Sequence, residues 1–200
     1  MSFDIYSKKG PTLTYGPACH RDLERIWAVT EEYLPDGLGI PAERLTSTLR
    51  AIPQRWMNGW DENKLRIITV KAGDELAGMI LYSLYADSPD SCLELLLVTQ
   101  PYQGLGLSRQ LVRYYSGVLQ KNNHPRFLLT VTDANTQAAN VYGRWAKQGL
   151  LSRESTYTDP LLGERTNYYG NVMAWQGDFV PQILRPSLYA PKKTSEAPSI

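Results

Sequence analysis

The sequence predicts an α/β domain of the mixed (α+β) kind, with hairpin-joined strands first and strands alternating with helices later. Three observations lead there. The β-rich runs Leu65 to Val70 and Leu76 to Tyr85 flank Gly73-Asp74, a pair that suits a hairpin turn. Leu93 to Val98 is apolar at every position except Glu94, the pattern of a strand covered on both faces. Apolar residues then recur at helical spacing from Leu107 to Leu119 and again from Ala138 to Trp145, with the β-prone run Phe127 to Val131 between them.

Taken in chain order, the first element is the strand-like run Thr12 to Tyr15, closed by Gly16-Pro17. Leu23, Ile26, Trp27, Tyr33 and Leu34 follow at helical spacing, with Asp22 and Glu24 at the start and Asp36-Gly37 and Gly39 breaking the pattern. A second helical stretch begins near Pro41 and carries Leu45, Leu49 and Ile52; Pro53 is expected to end or kink it before Trp56 and Trp60. After the hairpin, Asp87 to Asp90 turn around Pro89 and lead into the central strand. The stripe Leu107, Leu111, Val112, Tyr115, Val118 and Leu119 forms an amphipathic helix that stops near Asn122-Asn123. Ala138, Val141, Tyr142 and Trp145 mark the next helix, and Leu150 to Thr158 and Thr166 to Trp175 read as closing strands around Pro160 and Gly163. From Gly177 onward, Pro181, Pro186, Pro191 and Pro198 interrupt both helix and sheet ladders. The expected organisation is one domain over residues 1–176 and a proline-rich arm or tail over 177–200.

Composition narrows the class of function. Of 200 residues, 42% are hydrophobic, enough to bury a core. Lys and Arg total 21 against 20 Asp and Glu, so no bulk charge attracts nucleic acid or an anionic membrane. Cys19 and Cys92 are the only cysteines and His20 and His124 the only histidines, which excludes a disulfide scaffold and fits no metal-binding spacing. Met1 to Gly10 lacks the apolar stretch of a secretory signal, and the apolar runs fall short of the roughly 20 residues of a membrane span. A cytoplasmic protein with no nucleic-acid or membrane partner is expected.

The informative segment is the buried strand Leu93 to Val98, then Gln103-Gly104-Leu105-Gly106-Leu107-Ser108, then a helix. Glycines between a strand and a helix let backbone N–H groups approach a phosphate without a Cβ in the way, and the helix N-terminus adds free donors and partial positive charge. A pyrophosphate ligand is the natural functional reading; a glycine-rich tight turn is the structural one. No Lys-Ser/Thr follows Gly106, so this is not a nucleotide P-loop. A dinucleotide fingerprint would need a third glycine and an alternating parallel context.

Val98 to Val112 resembles the acetyl-CoA-binding motif of the GCN5-related N-acetyltransferase (GNAT) superfamily, Gln/Arg-x-x-Gly-x-Gly/Ala. Gln103, Gly104 and Gly106 fall in place with Tyr102 before them, and Ser108 stands where the family carries a last small residue. The family's order of elements matches the order read here from Thr12 to Trp175, and its downstream pattern Asn-x-x-Ala-x-x-x-Tyr appears as Asn135, Ala138 and Tyr142. The resemblance implies a central mixed, mostly antiparallel sheet flanked by helices, with acetyl-CoA as co-substrate. It implies an acyltransferase acting on a primary amine, of a small molecule or else of a protein. It places acetyl-CoA against Leu97, Val98, Gln103, Gly104, Leu105, Gly106, Leu107, Ser108 and Asn135. Asn135 equally suits the cap of the following helix. One departure concerns register: counted back from Gly149-Leu150, the family tyrosine would fall on Trp145. An insertion of three residues after Tyr142, nearly one helical turn, reconciles both counts and favours Tyr142.

Amide formation from a thioester needs a neutral amine, a stabilised oxyanion and a proton for the departing thiolate. An alkylamine with a pKa near ~10 must first be deprotonated. Glu94 is the candidate base, expected by simple alternation to share a face with Leu96 and Val98; a paired structural carboxylate is its other reading. Tyr142 is the candidate acid, against the plainer role of a core tyrosine. The oxyanion donor would be a backbone N–H on the Glu94 to Val98 strand. Cys92 reads as an inert buried thiol. Glu31, Glu32 and Asp36 stand where the resemblance implies an acceptor border, but a charge cluster at a helix end reads first as a solvated face. Tyr157, Tyr168 and Tyr169 flank the last turn, where the resemblance also allows a border to that cleft. A catalytically silent acyl-CoA-binding regulatory or interaction module would use the same loop, and a homodimer is left open.

Overall fold

The computed structural model describes residues 12–62, 64–85 and 88–176. Strand β1 (Leu13–Pro17) leads into helix α1 (Leu23–Leu38), the single turn α2 (Ser47–Arg50) and helix α3 (Ile52–Asp61). Strands β2 (Leu65–Ala72), β3 (Glu75–Leu84) and β4 (Asp90–Val98) follow, and then helix α4 (Leu107–Lys121). Strand β5 (Arg126–Thr132), helix α5 (Thr136–Lys147) and the hairpin of β6 (Leu151–Asp159) and β7 (Gly163–Asn171) complete the described fold. The strands form one sheet in the order β1-β2-β3-β4-β5-β7-β6, antiparallel except where β4 lies beside β5. This is the expected mixed, mostly antiparallel sheet flanked by helices.

Helices cover both faces, and the strand sequences show why. On one face Ile68, Val70, Ile80, Tyr82 and Leu93 pack with Leu111, Val112, Tyr115 and Leu119 of α4. On the other, Ile67, Met79, Leu81 and Leu97 pack with Ile26, Trp27 and Val29 of α1, and Trp56 and Trp60 of α3 lie against them. Successive strand residues point to opposite faces, so strands between two helical layers must be apolar at nearly every position. Each buried Leu, Ile or Val contributes roughly 1.5–3 kcal/mol, so this burial fixes α1 and α4 to the sheet.

Several boundaries differ from the sequence reading. β1 continues through Gly16-Pro17, which pair with Thr69 and Ile68; as an edge strand it tolerates the missing proline N–H. α1 runs through Pro35 and Asp36-Gly37 to Leu38, because Leu34 and Leu38 pack with Leu45 and Leu49, and it stops at Gly39. Pro53 opens α3 instead of ending a helix, since a first-turn residue needs no N–H donor. Val172–Trp175 forms a 3-10 turn, with Val172 and Trp175 buried. The turn at Asp87 to Asp90 lies partly, and the proline-rich segment 177–200 entirely, outside the described residues. Among the described residues no helix is long and apolar enough to cross a membrane.

The feature that positions the site is a split in the sheet. β4 and β5 pair only from Asp90 with Arg126 to Leu93 with Leu129. Beyond that point β4 stays with β3 as far as Val98, and β5 stays with β7 as far as Thr132. The two parallel strands therefore part, leaving unpaired backbone edges that face each other. At this open end α1 is tied to β5 and α5: the Thr132 hydroxyl donates to the Leu38 carbonyl at 2.8 Å and Asn135 Nδ2 to the Gly37 carbonyl at 2.9 Å.

Candidate active site

The glycine loop begins where β4 ends. Thr99 Oγ1 donates to the Leu76 and Ala77 carbonyls of β3, and the Tyr102 hydroxyl donates to Glu75 Oε2 at 2.9 Å. The Gln100 N–H donates to the Tyr33 hydroxyl of α1, and Gln103 Nε2 donates to the Val98 carbonyl at 3.0 Å. These contacts hold the start of the loop so that its second half can stay open. Gly104 and Gly106 adopt φ of +78° and +75°, a left-handed backbone that costs a residue with a Cβ about 1–2 kcal/mol. A Cβ built on either would meet no protein atom within 4 Å. Gly106 caps α4 without a side-chain acceptor. Among the described residues, the amides from Gly104 to Arg109 find no acceptor. Open space over a run of free donors at a helix N-terminus has the form of an anion cradle. The Leu107 side chain is buried in the core, so only its backbone faces that space.

Glu94 owes its position to a β-bulge. Leu81 of β3 pairs with Leu95 and Tyr82 with Leu93, so Glu94 is the extra residue of β4. The bulge shifts the alternation. Glu94, Leu95 and Leu97 line a cavity on the α1 side, while Leu96 and Val98 pack toward α4. The expected common face of Glu94 with Leu96 and Val98 is thus corrected, because strict alternation fails across a bulge. Ser83 Oγ donates to Glu94 Oε1 at 2.8 Å. Burial first, and then the neighbouring Glu94 carboxylate, push the Cys92 thiol up to about 12, so it stays protonated and is no nucleophile.

Tyr142 lies on the other face of the sheet, in the core cluster that includes Leu93 and Leu129. Leu93, Leu129 and Tyr168 are in register across β4, β5 and β7, and the Tyr142 ring lies on Tyr168 with centroids 6.0 Å apart. Leu93 and Leu129 are the last pair before the strands part, and Tyr168 continues their row on β7. The Tyr142 hydroxyl has no hydrogen-bond partner among the described residues, and burial raises its pKa. Trp145, the alternative register, packs edge-on against Trp175, away from that row. Asn135 Oδ1 accepts from the Ala138 N–H at 3.0 Å as the N-cap of α5, and its Nδ2 binds Gly37, so both ends of the amide serve the junction with α1.

The cavity holds about 510 Å³, within the usual range for a small-molecule site. Glu94, Leu95 and Thr130 form its floor, with α1 and α3 on one side and the β6–β7 turn on the other. Its charged lining is Arg55, Glu94, Asp159 and Arg165; the two arginines were not singled out from sequence, because neither sits in a motif. Glu31, Glu32 and Asp36 are absent from the lining and point outward from α1, as a solvated helix end does. Tyr168 is buried on the α5 side, Tyr169 stacks with Arg126, and exposed Tyr157 lies beneath Arg165 without reaching the cavity. A third arginine missed in sequence is Arg109, in the first turn of α4, whose Nε is buried without an acceptor.

A split mixed sheet with a glycine cradle at the head of the helix after its central strand defines the class of acyltransferase folds. Solved structures with this architecture include spermidine N-acetyltransferase from Vibrio cholerae in complex with CoA and spermine (TM-score 0.62, 14% identity, 82% of this chain and 98% of that one). PaiA N-acetyltransferase from Thermoplasma acidophilum in complex with coenzyme A matches at TM-score 0.63 and 15% identity, over 80% of this chain and 99% of that one. Ribosomal-protein-alanine N-acetyltransferase from Brucella melitensis matches at 0.60 and 12%, over 79% and 99%. No curated protein sequence matches the chain significantly. The family model for the Acetyltransferase (GNAT) family matches residues 23–146, and the chain belongs to that family.

Proposed function

We propose that the chain is an acetyl-CoA-dependent N-acetyltransferase that acetylates a primary amine of a small molecule. The observation that carries this reading is the run of unpartnered amides from Gly104 to Arg109 over open space, at the mouth of the β4–β5 split. The cradle suits a diphosphate, and the unpaired edge of β4 suits a ligand arm with its own amides. Arg109 adds support: a cation in the first turn of a helix opposes the helix dipole and is compensated by an anion there.

Leu97, Val98 and Gln103 to Ser108 hold the co-substrate in this reading, with Asn135 fixing the neighbouring junction. When bound, acetyl-CoA supplies an acetyl thioester. Glu94, oriented by Ser83, takes a proton from the acceptor ammonium so that the neutral nitrogen can attack. The C–N bond forms and the C–S bond breaks, while backbone N–H groups on the free β4 edge stabilise the developing charge on the carbonyl oxygen. Tyr142, kept protonated by burial, gives its proton to the departing sulfur across the split, and the second proton that the nitrogen sheds as it becomes an amide restores the phenol. The test is release of free thiol from acetyl-CoA across polyamines, amino acids, aminoglycosides and peptides. An enzyme-dependent rate with a small-molecule amine is expected; a rate with peptides alone would move the acceptor to proteins.

A further inference from the structure

The charged residues of the cavity say more about the acceptor than the family does. Four line it: Glu94 on the floor, Arg55 on α3, and Arg165 and Asp159 at the β6–β7 end. Asp159 is already committed. Its Oδ1 accepts from the amides of Leu161 at 2.8 Å and Leu162 at 3.0 Å, which closes the turn, and its Oδ2 is 3.5 Å from Arg165 Nη1. That long contact is the only protein acceptor for the Arg165 guanidinium among the described residues, and its Nε is buried with none. Arg55 is exposed at the cavity wall and has no acidic partner among the described residues. Glu94 accepts from Ser83 but has no cationic partner among the described residues, so it is the carboxylate open to an amine, and two guanidinium groups are short of acceptors.

A buried guanidinium N–H without an acceptor is costly, and a carboxylate is the group whose two oxygens match a guanidinium edge. Arg165 stands opposite Thr132 in the β5–β7 register, next to the opened strands. It is also close enough to Cys92, two residues before Glu94, to oppose the rise of that thiol's pKa. The anion-binding and amine-binding groups thus share one small cavity. A polycation would meet two arginines here, while the acidic residues that would suit it, Glu31, Glu32 and Asp36, lie outside.

We propose that the acceptor is an amino-carboxylate, its carboxylate held by Arg165 and Arg55 and its amine placed at Glu94. This rests on the acetyl-transfer reading above. Leu34, Leu38, Leu95 and Leu162 in the same lining suit an apolar or aliphatic side chain on that acceptor.

The experiment compares matched pairs that differ only in the carboxylate: leucine with isoamylamine, lysine with cadaverine, phenylalanine with phenethylamine. Steady-state thiol release is measured with acetyl-CoA, and acetyl-CoA binding is measured separately by calorimetry. The acid member is expected to have a kcat/KM at least roughly tenfold higher, the scale of one charge-assisted hydrogen bond. Arg165→Gln should collapse that ratio toward one, and Arg55→Gln should lower it. Arg165→Lys, which keeps the charge and the stem, should lower it part-way and covers a failure of Arg165→Gln to fold. Equal or better turnover of the amine members, or an acid preference unchanged in the Arg165 and Arg55 variants, overturns the inference. So does turnover of neither member by a protein that binds acetyl-CoA. Failure to bind acetyl-CoA overturns the reading beneath it instead.

Discussion

Replacing Gly106 by Ala separates the two roles a left-handed glycine can have. Gly106 at φ +75° and Gly73 at φ +63°, in the β2–β3 turn, carry similar backbone strain, and a Cβ at either meets no protein atom within 4 Å. Each Ala substitution therefore costs about 1–2 kcal/mol of stability. For a chain of this size that lowers Tm by about 2–8 °C. Their effects on acetyl-CoA binding should part completely. The methyl at position 106 occupies the space over the free amides, where the diphosphate oxygens have to come. Losing one charge-assisted hydrogen bond there costs about 1.5–3 kcal/mol, or roughly 10- to 150-fold in Kd. Gly73→Ala, far from the cradle, should bind acetyl-CoA as the wild type does. Thermal melts and calorimetric titrations on the three proteins supply both numbers. Equal Kd values for wild type and Gly106→Ala, with the expected Tm loss present, would refute the cradle.

Tyr142→Phe removes one hydroxyl and keeps the ring on Tyr168, so kcat should fall by ~10²–10⁴ with KM for acetyl-CoA nearly unchanged. The loss should shrink at alkaline pH, because a thiol with a pKa near ~8.5 then leaves without a donated proton. Trp145→Phe should leave kcat close to wild type; the reverse outcome would move the role by one helical turn. Glu94→Gln keeps an acceptor for Ser83 but cannot take a proton, so kcat/KM should fall by ~10² or more and recover as rising pH frees the amine; a pH-independent deficit would count against Glu94 as the base. Burial pushes Cys92 and Tyr15 up to about 12 and raises Tyr82, Tyr115 and Tyr142. The folded chain thus retains protons that the unfolded chain releases above about pH 9–10. Stability should fall in that range, at up to about 1.4 kcal/mol per pH unit per group. Denaturant melts giving equal unfolding free energies at pH 8 and pH 10.5 would contradict it.

Most of the fold was legible because its signals are local. The hairpin at Gly73-Asp74 and the doubly covered run after Leu93 follow from turn chemistry and a period of two. The stripes beginning at Leu107 and Ala138 follow from a period of 3.6. Element ends were less legible. Whether Pro53 stops a helix or starts one depends on which neighbours the next turn packs against, and Gly16-Pro17 extend β1 only because β2 offers them partners. The cradle could be read from Gly104 and Gly106 since positive φ leaves a compositional mark. The bulge at Glu94 leaves none: it arises from the pairing of β3 with β4 and reverses which face the carboxylate takes. Arg165 and Arg55 were invisible for a similar reason, as they meet only when β7 and α3 close around one cavity.

The most direct test of acetyl transfer is to follow free thiol and acetylated amine in the same reaction, with acetyl-CoA and each acceptor of the panel, by thiol titration and mass spectrometry. The account predicts equal molar amounts of both products with at least one small-molecule amine, formed only with the protein present and lost together in Tyr142→Phe. Acetyl-CoA bound tightly at the glycine cradle with neither product formed above the protein-free rate, or thiol released without any acetylated amine, would contradict it.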